Sequence, residues 1–245
     1  MTTHANDFLT GSTAVVTGSS KGIGYGIAQA LVEHGSNLVV SARTEAEVRA
    51  AADRLNQLGG GKAAPYPCDV RRHHEVRALI GFAVEEFGGL DVLVNNAGLG
   101  HFGSIGELSV EQWEETIETN LNSLFYACHE ALPYLSKSRD AWIINIGSLA
   151  GKNPFAGGTA YNASKFGLTG FSEALMMDVR QLGIRVNYIM PGSVNSYFGD
   201  KPPGEENDWM IQPQDIGKMV VDLLAYPGRT LPSRIEVRPS RPPPR

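Results

Sequence analysis

Tyr161 and Lys165 stand in the segment Tyr161-Asn-Ala-Ser-Lys165. In a helix that spacing puts both side chains on one face, one turn apart. A fixed ammonium beside a phenol stabilises the phenolate and draws a pKa normally about 10 toward working pH. A proton-transfer catalyst needs that shift. Ser148 closes the segment Asn145-Ile-Gly-Ser148, at the end of an apolar run, and can aim a hydroxyl at the same place. On its own a Tyr-x-x-x-Lys pair is a common surface arrangement, so its weight depends on the rest of the chain.

A second chemistry is written near the start. Thr13-Ala-Val-Val-Thr17 reads as a strand and runs directly into Gly18-Ser-Ser-Lys21-Gly22-Ile-Gly24. Ile23, Ile27, Ala30 and Leu31 then recur at helical spacing. Strand, glycine turn and helix in that order form a phosphate-binding context. Small residues let the backbone approach a pyrophosphate, and the helix start presents free N–H groups with a partial positive charge. The spacing is Gly-x-x-x-Gly-x-Gly rather than the commoner Gly-x-Gly-x-x-Gly.

The elements that must position these residues alternate along the chain. Strands are expected at Thr13–Thr17, Asn37–Ser41, Ala63–Cys68, 91–94, 141–146, 184–189 and Arg234–Arg238, the last as an edge. Thr44 with Glu47, and Ser109 with Gln112, carry the capping pattern that starts a helix. The second of these opens one long helix with Trp113, Ile117, Leu121, Leu124, Cys128 and Leu132 on one face. His73 and His74 fall in a polar first turn and read as solvated surface rather than metal ligands. Strands alternating with helices predict an α/β fold: a doubly wound parallel sheet of about seven strands with helices on both faces. No linker or repeat divides the chain, so one domain is expected over residues 1–245, with a lead-in at 1–10 and a Pro/Arg-rich tail at 239–245. The long helix and the one after Tyr161 are apolar on more than one face, which asks for cover by a second subunit or by the protein itself.

Composition narrows the function classes. A net charge of −5 supplies no basic field for nucleic acid or anionic lipid. Cys68 and Cys128 have no metal-ligand spacing, and no metal is expected. The start lacks the pattern of a signal peptide, and no apolar run approaches the ~20 residues of a membrane span. A cytoplasmic location and no membrane partner are the expectations.

Taken together, Thr17-Gly-Ser-Ser-Lys-Gly-Ile-Gly24, Asn95-Asn-Ala-Gly98, Asn120, Ser148, Tyr161-Asn-Ala-Ser-Lys165 and Pro191-Gly192 stand in one order that resembles the short-chain dehydrogenase/reductase family. The resemblance covers roughly residues 10 to 225 and implies a Rossmann-like fold with a nicotinamide dinucleotide across the carboxyl ends of the strands. It assigns Gly18, Ser20, Gly22, Ile23 and Gly24 to the pyrophosphate side, and Asp69 and Val70 to the adenine. Asn95, Ala97 and Gly98 are assigned to the adenosine ribose, and Pro191, Gly192, Val194 and Ser196 to the nicotinamide. It implies hydride transfer to or from a small-molecule carbonyl or alcohol substrate, with Tyr161 moving the proton. Lys165 would lower the tyrosine pKa and reach the nicotinamide ribose. Ser148 would bond the substrate oxygen, and Asn120 would hold a water linking Lys165 to solvent. The family's habit of pairing subunits through the two apolar helices implies a homodimer or homotetramer. At the carboxyl end this chain reads Glu236-Val-Arg-Pro239 where relatives commonly carry Asp-Gly-Gly.

NAD-using relatives commonly end the second strand with an acid. Here it ends Ser41-Ala42-Arg43, and Lys21 lies close by in the fold implied. Two cations make a site for a 2′-phosphate, so NADP(H) is the expected cofactor. The leading expectation is an NADP(H)-dependent carbonyl reductase or alcohol dehydrogenase. A 3-oxoacyl reductase acting on acyl carrier protein is the alternative within enzymes. A non-catalytic dinucleotide sensor is the alternative of another class, and it has no use for the tyrosine, lysine, serine and asparagine together.

Overall fold

The structure, a computed structural model, describes residues 8–198 and 202–243. Residues 1–7 of the expected lead-in, 199–201 in the segment after Ser196, and 244–245 of the expected tail lie outside the described residues. Seven strands form one parallel sheet: β1 (Thr13–Thr17), β2 (Asn37–Ala42), β3 (Ala63–Pro67), β4 (Val92–Asn95), β5 (Ala141–Ile146), β6 (Ile184–Pro191) and β7 (Arg234–Val237). Their order is β3-β2-β1-β4-β5-β6-β7. The chain winds outward from β1 to β3, then crosses back to place β4 on the other side of β1. The sheet is thus doubly wound, and a crevice opens between β1 and β4, where α/β sheets take ligands.

The central strands are largely apolar because both faces are covered. Ala14 and Val16 point to one face with Val40 and Val94, against Ile27 and Leu31 of helix α1 (Gly22–Glu33). Helices α2 (Glu45–Asn56) and α7 (Pro213–Leu224) complete that layer. Val15, Val39, Leu93 and Ile143 point to the other face, against α3 (His73–Phe87), α5 (Ser123–Leu135) and α6 (Thr159–Val179). At each full burial of such a side chain, removal from water contributes about 1.5–3 kcal/mol. Phe8 and Leu9, inside the expected lead-in, belong to this core. Pro65 and Pro67 are tolerated in β3 because it is an edge strand, paired only with β2.

Three local expectations are corrected. Thr44 starts α2 without a capping bond from its side chain. The Glu47 carboxylate is drawn across to Ser20 and Lys21 instead. The helix opened by Ser109 and Gln112, whose reciprocal capping bonds do form, is not continuous. It runs as α4 (Val110–Ile117), a wide π turn at Glu118–Asn122, and then α5. His73 is not simply solvated: its Nε2 lies 2.5 Å from Glu130 of α5, with its ring against Tyr126. His74 is exposed as expected.

Candidate active site

A cleft of about 620 Å³ runs along the carboxyl ends of the strands, from Arg43 and Asp69 to Pro191 and Met210. Its floor is the turn after β1. Gly18 and Gly22 sit at φ 66° and 60°, a region open to glycine and strained for other residues. Asn96 shapes that turn by donating to the carbonyls of Thr17 and Gly18 at 2.9 and 3.0 Å. The Thr17 hydroxyl accepts the Asn96 and Ala97 backbone N–H groups. Helix α1 then begins at the cleft with no side chain capping its start and no acid in its first turn. Its first N–H groups fit an anionic ligand, as a dinucleotide pyrophosphate would require.

Tyr161 and Lys165 project from the first turns of α6, and Ser148 follows the end of β5. All three line the cleft. Ser148 starts a short 3-10 turn, its Oγ accepting the Ala150 N–H at 3.1 Å, which fixes the hydroxyl. The lysine Nζ lies 5.8 Å from the tyrosine ring centre and donates to the Ile146 carbonyl at 3.1 Å. Both side chains are nearly enclosed, Tyr161 at 9% and Lys165 at 5% exposure. Burial therefore decides their protonation. It raises the Tyr161 pKa, against a smaller lowering by the Ser148 hydroxyl. It pushes Lys165 down to about 8. The expectation of a phenol lowered by its lysine is corrected for this state. Desolvation penalises both charges, and the ammonium is engaged by a backbone carbonyl.

Most of the residues expected at the cofactor line the cleft. Gly18, Ser20, Lys21, Gly22 and Ile23 do so, as do Arg43, Asp69, Val70, Ala97 and Gly98. Pro191, Gly192, Val194 and Ser196 line the other end. Three do not. Gly24 packs against the Gly18 carbonyl and Asn96, where a larger residue has no room. Asn95 is buried below the cleft, donating to Asn145 at 2.9 Å, so the neighbouring Asn96 supplies the wall. Asn120 lies in the π turn, fully buried. Its amide donates to the Leu99 carbonyl and the Ser164 hydroxyl while its carbonyl oxygen accepts the Leu99 N–H. It clamps the loop after β4 to α6, with both amide hydrogens committed rather than offered to a water.

Sequence reasoning missed the acids that face the cleft cations. Glu47 accepts from Ser20 at 3.3 Å and from Lys21 at 3.4 Å. Arg71 lines the cleft, its guanidinium on Asp69 and, at 2.9 Å, on Glu115. Arg71 holds the Asp69 carboxyl below its usual range. Arg43 stands 3.9 Å from the same Glu115, whose other oxygen lies 2.8 Å from His101. Arg71 follows Asp69-Val70 directly and could have been noticed; Glu115, on another helix, carries no local signal. Burial pushes the Cys68 thiol up to about 12, which leaves the one cysteine on the cleft wall protonated near neutral pH.

Known proteins resemble this chain over most of its length. A 3-oxoacyl-(acyl-carrier-protein) reductase of Chlamydia muridarum is 37% identical over 191 residues, covering 78% of this chain and 77% of the relative. An alcohol dehydrogenase from the archaeon Thermococcus sibiricus, solved with 5-hydroxy-NADP, superposes with a TM-score of 0.89 at 28% identity, covering 96% of this chain and 99% of that one. A metagenomic short-chain oxidoreductase solved with NADP gives 0.84 at 34% identity, with the same coverage. The family model described as short chain dehydrogenase matches residues 12–205, from the first strand through the glycine turn, tyrosine and lysine, and the chain belongs to that family.

Proposed function

We propose that this protein transfers a hydride reversibly between NADP(H) and a carbonyl or secondary alcohol substrate, with Tyr161 as acid and base. The observation that carries this reading is the meeting of Ser148, Tyr161 and Lys165 in the same cleft as the Gly18–Gly22 turn. A bound nicotinamide cofactor supplies or accepts the hydride. The α1 start and its glycine turn would hold the pyrophosphate, and Pro191, Gly192, Val194 and Ser196 would enclose the nicotinamide end. Ser148 donates a hydrogen bond to the substrate oxygen as charge develops there. In reduction Tyr161 gives its proton to that oxygen, and in oxidation it takes the proton back. Lys165 supplies the nearby positive charge that favours the phenolate when the proton has left.

NADP(H) is preferred in this reading because Lys21 and Arg43 stand on one wall with no acid ending β2. Two solved relatives with bound NADP or a derivative support it. Titrating NADPH and NADH against the protein and Arg43→Ala tests it. A preference of at least about tenfold that falls in the variant is expected, since a charge-assisted bond contributes about 1.5–3 kcal/mol. Equal affinity for the two cofactors overturns the reading.

A second reading, reduction of 3-oxoacyl groups on acyl carrier protein, is favoured by the relative of that name. Lys21 and Arg71 bond carboxylates of this chain, and Arg43 has Glu115 nearby, which leaves less free positive charge for an acidic carrier. A dinucleotide sensor would leave the tyrosine, serine and lysine unused. We further place the protein in the cytoplasm as a homodimer or homotetramer. The supports are apolar side chains exposed on α4 to α6 and the absence, among the described residues, of a helix long and apolar enough to cross a membrane.

A further inference from the structure

Phe102 and Phe198 meet the Tyr161 ring from two different loops, and Phe155, from a third, stands against Phe102. Phe102 follows β4, Phe155 lies between β5 and α6, and Phe198 follows β6. Each is about half exposed, at 51%, 48% and 44%. Phe102 stands edge-on to Tyr161 at 5.5 Å between ring centres, and Phe198 is tilted against it at 5.3 Å. Phe102 also meets Phe198 at 6.3 Å and Phe155 at 6.0 Å. Gly100 makes room for the pair. A Cβ there would come within 2.7 Å of the Phe102 ring and 2.9 Å of the Phe198 ring.

Exposed apolar residues are ordinary when scattered singly, but a contiguous cluster asks for an occupant. This cluster is centred on the phenol that moves the proton, so its occupant is the part of the substrate beside the carbonyl. Rings set edge-on at these distances offer edges and faces to another ring inserted among them. A linear chain could cover the same area, yet ordering its torsions offsets part of the gain, whereas a ring is rigid already. The negative faces of the rings oppose a carboxylate at that position. Resting on the hydride-transfer reading above, we propose that the substrate is an uncharged ketone, or its alcohol, carrying a ring next to the carbonyl. Phe102 and Phe198 determine that specificity, with Phe155 set against Phe102.

The test compares NADPH-dependent reduction of acetophenone with that of 2-octanone, a straight-chain ketone of the same carbon count. It is run on the protein and on Phe102→Leu, Phe155→Leu and Phe198→Leu. Leucine keeps apolar area while removing the ring, and NADPH titration checks that each variant is folded. The expected result is a preference in kcat/KM for the aryl ketone of roughly tenfold or more, falling severalfold in Phe102→Leu and Phe198→Leu mainly through KM. Ketone reduction without ring preference, or a preference untouched in all three variants, overturns the proposal while hydride transfer stands. If no carbonyl compound is reduced, the hydride-transfer reading falls, and saturation-transfer NMR with acetophenone still decides the ring site. Signal that weakens in Phe102→Leu supports it, and no signal on the parent overturns it.

Discussion

Glu47 Oε1 lies 3.4 Å from Lys21 Nζ, and its other oxygen accepts the Ser20 hydroxyl at 3.3 Å. A carboxylate thus stands in the corner of the cleft where a 2′-phosphate would meet Lys21, and the two anions would compete for the same donors. Glu47→Gln should strengthen NADPH binding by roughly twofold to fivefold, the scale of an exposed ion pair, and leave NADH within about twofold. Fluorescence titration of both cofactors decides it. An equal change for NADH would show that Glu47 does not face the phosphate.

Tyr161→Phe removes one hydroxyl and keeps the ring contacts with Phe102 and Phe198. Cofactor affinity should stay within about threefold of the parent, while kcat falls by about a hundredfold to ten-thousandfold, the usual worth of general acid catalysis. Steady-state rates with a saturating ketone provide the check. A kcat within a few-fold of the parent would remove the tyrosine from the reaction.

How much of this was legible in the chain depended on whether the decisive partner was local. Strand β5 was expected at 141–146 and forms there, because a buried strand announces itself as a short, mostly apolar run. The Ser109–Gln112 box formed for the same reason: both partners lie within one turn. Thr44 and Glu47 carry the same local pattern, but Glu47 found donors on the glycine turn far back in the chain. The π turn at Glu118–Asn122 is invisible to helical periodicity, which continues across it while the register widens. At the site, Ser148, Tyr161 and Lys165 were readable as types at a spacing, and the structure brings them to one cleft. The direction of the tyrosine shift was not readable, since it depends on burial in the folded chain, where even the rings against Tyr161 come from distant loops.

Burial pushes Lys165 down to about 8 in the folded protein, from 10.5 in a free chain. Between those values the unfolded chain binds the extra proton, so stability rises with pH across the window. Below about 8 both states carry the charge and the burial penalty is present in full. Lys165→Met has no such group. Urea unfolding of the cofactor-free protein from pH 7.5 to 10.5 should therefore show the parent gaining stability relative to the variant. Parallel curves would mean that the ammonium is not desolvated.

Phe125, Phe166 and Met177 are 55%, 45% and 52% exposed on α5 and α6, and Trp113 on α4 is 38% exposed. Leaving this apolar area in water costs about 25 cal/mol for each Å², and a second copy of the same surface would cover it. Exposed aromatic and methionine side chains of this kind are enriched at subunit interfaces. Phe125 and Phe166 contribute little to the monomer's own core, so a charge there should act on assembly before it acts on folding. Light scattering at micromolar concentration should give a dimer or tetramer for the parent and a smaller species for the double variant Phe125→Glu, Phe166→Glu. Retained helical circular dichroism would show that the variant is still folded. A parent that scatters as a monomer would refute the assembly, and a folded variant that keeps the parent's mass would place the contact elsewhere.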